Sequence, residues 1–201
     1  MLALGKMKKI SLGGMVAGAL IVASSFSVTG CLTDDKKTDS TATGTHTAFP
    51  AATTIAAGAQ GAALGSVLDL DTKTALTSAQ ANAAQSSIDL VFMFYAGAFH
   101  MDNPKAARLA GIANSINLTN TYTEASLKDT KIVKVSAAPA DQEAAKVAFD
   151  GGTASPSNVI VGGEFFLVET TSGKISLVKV GAIVGTDKLA NANFDVSIST
   201  I

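Results

Sequence analysis

A chain of 201 residues is the length of one ordinary domain, and with 47% hydrophobic against 15% charged residues it carries enough apolar material for a core. A net charge of −1, with no basic cluster in the body of the chain, speaks against a nucleic-acid binder, because phosphate affinity comes from Lys and Arg. A single Cys excludes an intrachain disulfide, and 5% aromatics with no Trp weighs against a face that stacks on sugars.

The chain opens in three parts. Lys6, Lys8 and Lys9 form a positive start, Ile10 to Phe26 is apolar with small residues, and Val28-Thr29-Gly30-Cys31 closes the segment. That tetrapeptide resembles the lipobox of bacterial lipoproteins. The resemblance implies a signal peptide over residues 1–30, a diacylglyceryl group on the Cys31 sulfur, cleavage before Cys31, and acylation of the new amino group, as by palmitate. Several acyl chains on one residue give lasting attachment where one chain is marginal. Loss of three Lys and no acid leaves the mature chain near −4. An uncleaved membrane helix is the alternative, since Ile10 to Gly30 reaches the roughly 20 residues needed. Gly13, Gly14 and Gly18, and the Cys at the lipobox position, argue against it. Met7-Lys8-Lys9 offers a second start site besides Met1. The lipoprotein reading implies two partners, membrane lipid through acylated Cys31 and the lipoprotein processing and export machinery. It implies a cell-envelope address at the outer membrane, with the periplasmic or cell-surface face undetermined. Asp34 and Asp35 after the Cys are similar to a surface-export signal and equally fit a solvated tether.

Residues 31–50 are rich in Thr, Ser, Asp and Lys and read as a flexible tether, which makes His46 a weak candidate for any site. Residues 51–201 read as one globular domain. Residues 51–65 offer one edge strand. Val67, Leu68 and Leu70 suggest a short strand turning through Asp71-Thr72-Lys73. Thr77 with Gln80 has the spacing of a capping box and starts a short Ala-rich helix to about Ser86. Ile88 to Tyr95 is a continuous apolar run, the pattern of a central strand buried on both faces. Asp102-Asn103-Pro104 opens a helix toward Ala110, with Gly111 near its end. The polar stretch from Asn114 to Asp129 has no clear pattern.

Lys131 to Val135 alternates like a strand. Pro139 to Phe149 reads as a helix with Asp141 and Glu143 in its first turn and Gly151 just beyond its end. Glu164–Thr170 and Lys174–Val180 flank Thr171-Ser172-Gly173, a three-residue hairpin loop. Phe194, Val196 and Ile198 alternate with Asp195, Ser197 and Ser199, a final strand with one wet face. The expected class is α+β: predominantly antiparallel sheet, two or three short helices, and a C-terminal hairpin followed by a last strand.

The run Ser87–Tyr95, the helix opening at Pro104 and the block Phe165–Lys179 together resemble a domain recurring in uncharacterised secreted lipoproteins of anaerobic bacteria. The likeness covers roughly residues 60–201 and implies no functional residue. No phosphate-loop, dinucleotide or Gly-x-Ser-x-Gly motif is present; Gly58, Gly61 and Gly65 have the wrong spacing. Asp69-Leu70-Asp71-Thr72-Lys73 is reminiscent of haloacid-dehalogenase phosphatases, but Lys73 stands where those need Thr. Turn chemistry explains the segment. It also fails as a calcium loop. Asn117-Leu118-Thr119 matches a glycosylation sequon by chance. His100 with Asp102 is a candidate base pair or two-ligand set, or else a loop His beside an N-cap Asp. Asp89, in the most apolar strand, needs partners and is expected to face a loop amide. These readings imply a non-enzymatic envelope lipoprotein that binds an envelope protein or glycan, with no cofactor and no metal. The alternatives are a structural or assembly component of an outer-membrane complex, and a hydrolase using Asp89, His100 and Asp102.

Overall fold

The computed structural model describes residues 46–59, 62–109 and 127–201. The expected signal segment, Cys31 and most of the expected tether lie outside these residues, as do Ala110, Gly111 and residues 114–126. The strands in chain order begin with β1 (Thr53–Gly58), β2 (Val67–Asp69), β3 (Thr74–Leu76), β4 (Leu90–Tyr95) and β5 (Ala98–Asp102). They continue with β6 (Ile132–Val135), β7 (Ser157–Val159), β8 (Phe165–Glu169), β9 (Ile175–Val184) and β10 (Asn191–Ile198). The helices are α1 (Ser78–Ala83), α2 (Pro104–Leu109) and α3 (Gln142–Gly151).

The strands form two five-stranded sheets, β1-β10-β9-β8-β6 and β3-β2-β4-β5-β7. Every pairing is antiparallel. The fold is therefore α+β and mostly antiparallel, as the sequence pattern implies. The sheets face each other over one core. Ile55, Val178, Phe194 and Val196 come from the first sheet, and Leu68, Leu90, Phe92 and Met101 from the second. Phe92 sits at its middle, 5.8 Å from the Phe99 ring and edge-on to Phe194 at 5.5 Å. Alternation along each strand sends the other side chains outward. On the second sheet Val67, Val91 and Met93 meet Ala81 of α1 and Ala107 of α2. On the first sheet Val133 and Leu167 meet Ala145 and Phe149 of α3. Helices thus cover the outer faces of a sandwich. β4 is buried on both sides because it is the middle strand of its sheet and carries helices outside.

Local chemistry sets the helix starts. Thr77 and Gln80 make the reciprocal capping box. Asp141 caps α3 by accepting from Ala144 N at 2.7 Å. α1 is shorter than expected, giving way to a 3-10 turn at Gln85–Ser87. α3 runs on through Gly151, so Gly152 rather than Gly151 lies beyond its end. At the next helix the cap is Asn103, not Asp102: Asn103 Oδ1 accepts from Ala106 N at 2.7 Å. Asp102 belongs to β5, a strand the sequence did not reveal, as it did not reveal β3 or β7. The wet face expected of β10 is dry at its end, where Ser197 and Ser199 are buried and Ser199 Oγ donates to Gln142 Oε1 at 2.8 Å. The β8–β9 hairpin is as expected, with Gly173 at φ +83°. Thr47 O accepts from Gln142 N at 2.9 Å, which ties the first described residues to the start of α3.

Candidate functional site

The most concentrated polar chemistry lies on the outer face of the second sheet. β4 and β5 are joined by Ala96-Gly97, both at positive φ (49° and 80°), with Tyr95 paired to Ala98. Such two-residue turns match the twist of the strands they join. His100 and Asp102, two apart in β5, share a face, opposite Met93 and Val91 of β4. On the other side β7 places Ser157 opposite Asp102 and Val159 opposite His100.

Four side chains interlock there. Tyr95 Oη donates to Asp102 Oδ2 at 3.0 Å and lies 2.9 Å from Ser157 Oγ. Ser157 Oγ is 3.4 Å from His100 Nδ1. The imidazole stacks on the Tyr95 ring, with centroids 3.7 Å apart and planes 18° from parallel. Asp102 is fully buried, and its Oδ1 has no hydrogen-bond partner among the described residues. Burial pushes the Asp102 carboxyl above its usual range, against the pull of Ser157, Tyr95 and His100. Burial draws the His100 imidazole below its usual value, while the Asp102 charge works the other way. The Tyr95 phenol is raised, again chiefly by burial. The hydrogen bond of Asp102 goes to Tyr95 rather than to the imidazole, and Ser157 Oγ is shared among neighbours. The four side chains form one polar network, with Asp102 Oδ1 left without a partner among the described residues.

Asp89 stands apart from this network and shares no partner with it among the described residues. Its carboxylate accepts from Leu70 N at 2.6 Å and Thr171 N at 2.5 Å, the loop amides expected of it. Burial pushes its pKa up to about 7, against those two bonds and with help from the Asp71 and Asp69 charges. Asp71 grips the same β8–β9 loop, accepting from Ser172 Oγ at 2.6 Å, Ser172 N at 3.0 Å and Thr170 Oγ1 at 3.0 Å. Burial raises the Asp71 carboxyl, but these bonds outweigh it and the net direction is down. Asp69 Oδ1 accepts from Thr72 N at 3.0 Å, the turn chemistry read from the sequence. The Asp69–Lys73 segment is thus a clasp on the β8–β9 hairpin. Of the three sequence candidates, His100 and Asp102 meet in the Tyr95–Ser157 network, and Asp89 is bonded to the Leu70 and Thr171 amides.

A cleft of about 400 Å³ opens beside the His100 network, lined among others by Asn103, Thr130, Ile132, Ala154 and Pro156. Asn103 and Pro156 are the chain neighbours of Asp102 and Ser157, and Asn103 N donates to Pro156 O at 2.8 Å. Tyr95 and Ser157 were not singled out by sequence. Tyr95 ends an apolar run and Ser157 sits in a polar stretch, so no spacing marks them. His46, set aside as tether, lies with its Nδ1 2.7 Å from Asp141 Oδ2.

Comparison of the chain with protein-family models, with characterised proteins and with solved structures finds no match. The functional reading therefore rests on this chain's own residues.

Proposed function

We propose that this chain is a lipid-anchored lipoprotein of the cell envelope whose folded unit is a non-enzymatic binding module for another envelope protein. The observation that carries the anchoring is the tetrapeptide Val28-Thr29-Gly30-Cys31 behind a Lys-rich start and an apolar segment. The binding reading is supported by the His100 network, in which Asp102 Oδ2 accepts from Tyr95 Oη and not from the imidazole that a catalytic base would need it to orient. A protein partner is favoured over a glycan by the surface. The exposed large apolar side chains among the described residues are aliphatic, including Val159 and Val161 beside the free edge of β7 and Val184 and Leu189 at the far end of the first sheet. Sugars stack on aromatic rings; aliphatic side chains beside an open strand suit a protein contact.

Cys31→Ser tests the anchoring. The variant is expected to accumulate as unprocessed precursor, without the lipid label that metabolic palmitate gives the native chain. A serine variant that is still processed and still takes up label refutes it. A photo-crosslinker at position 159 in intact cells is expected to trap a defined envelope protein. A hydrolase would instead label at Ser157 with a serine-directed fluorophosphonate, and none is expected.

A further inference from the structure

We propose that His46, Asp141 and Glu143 form a binding site for a divalent transition-metal ion of the zinc class, distinct from the His100 network. One imidazole nitrogen and two carboxylate oxygens, one from each group, lie within 4.8 Å of one another. They come from segments almost a hundred residues apart in sequence. His46 and Asp141 are in direct contact at 2.7 Å, a proton bridge of the kind a metal ion replaces. Donors at about 2.1 Å from a tetrahedral ion sit roughly 3.4 Å apart, so the widest separation closes by up to about 1.4 Å while the His46–Asp141 pair opens by about 0.7 Å. The His46 side chain is 73% exposed, which leaves it room to move toward an ion.

The two carboxylates are already held in place. Glu143 accepts from Thr47 N and Thr47 Oγ1, both at 2.9 Å. Asp141 accepts from Ala144 N through its other oxygen. The two segments are joined by Gln142 N to Thr47 O at 2.9 Å and by Gln142 Nε2 to Ala48 O at 2.7 Å. Each carboxylate oxygen keeps a second lone pair, so binding need not break these bonds. Two negative charges and a neutral imidazole match a doubly charged cation. They also offset the positive end of α3, which alone would repel it. A mixed nitrogen and oxygen set suits Zn²⁺, Ni²⁺ or Co²⁺; Mg²⁺ and Ca²⁺ prefer oxygen alone. Three protein donors leave a position open for water.

The test uses full-length protein in detergent, stripped with a chelator and titrated with Zn²⁺ by calorimetry and by thermal melting. One equivalent is expected to bind and to raise Tm, since an ion that binds only the folded state stabilises it. His46→Ala and Glu143→Gln are each expected to weaken binding by about tenfold or more. Both alter exposed or half-exposed side chains, and circular dichroism confirms their folding. His100→Ala is expected to leave the isotherm unchanged. Absence of a Tm rise overturns the proposal. So does an isotherm unmoved in both His46→Ala and Glu143→Gln, or a Mg²⁺ affinity equal to that for Zn²⁺.

Discussion

Asp89 makes the stability of this fold depend on pH around neutrality. Its carboxyl moves from 3.8 in an open chain to about 7 in the folded protein. The folded state therefore keeps a proton that the unfolded state has lost between those two values. Stability contributed by that proton is fully present below about pH 4 and is lost as pH rises through 7. At about 1.4 kcal/mol per pH unit, the whole displacement corresponds to roughly 4 kcal/mol. Between pH 5.5 and 8 the part still in play is about 2 kcal/mol. Asp102 changes stability in the same direction and His100 in the opposite one, so the native profile alone does not isolate Asp89. Asp89→Asn does. Asparagine stays neutral, keeps an acceptor for one of the Leu70 and Thr171 amides and turns its own NH₂ toward the other. The variant is less stable than the native protein at pH 5.5, by a deficit that shrinks by about 2 kcal/mol on going to pH 8. Urea unfolding at several pH values, with a shared m-value, measures this directly. Parallel native and variant profiles across that window would show that the two amide donors, and not burial, govern the carboxyl, and would defeat the argument.

Phe92→Ala removes the ring that joins Phe99 to Phe194 across the two sheets and should cost about 3–5 kcal/mol in the same urea assay. Asn103→Ala removes the α2 cap together with the bonds from Asn103 Nδ2 to Asp129 and to the Thr130 carbonyl; a loss of about 2 kcal/mol is expected. In an NMR titration of the imidazole protons, His100 should protonate below the ordinary value of 6.5, and Asp102→Asn should lower it further by removing the one nearby charge that favours imidazolium. An unmoved titration in the variant would show that Asp102 is neutral in the native protein at the pH where His100 titrates.

The sequence announced what depends on neighbours in the chain. The Thr77 capping box, the β8–β9 hairpin with its positive-φ glycine and the doubly buried β4 each need only local chemistry or a continuous apolar run. β5 escaped for a physical reason. The turn before it places Ala96, not Asn or Gly, at the first positive-φ position, so the strongest short hairpin signal is missing. With β5 unseen, Asp102 looked like a helix cap and His100 like a loop residue. β7 is three residues of mixed polarity and becomes a strand only because β5 offers it an edge. The Tyr95–Ser157 contact and the His46–Asp141 pair join residues 62 and 95 positions apart, and no one-dimensional pattern carries such distances. The partners of Asp89 were foreseeable in kind, because a carboxylate at the mouth of an apolar strand must find amide donors. The particular amides were not.

In the first sheet β10 lies between β9 and β1, so Thr53–Gly58 has no strand to pair with until Asn191–Ile198 is in place. A chain emerging from a narrow channel, whether ribosome or membrane pore, cannot finish this sandwich early: its first strand waits for its last. Long loops must close before those contacts form, which makes assembly slow and leaves the polypeptide threadable until nearly all of it has passed. If the chain is exported as proposed, that order of events is an advantage written into strand placement alone.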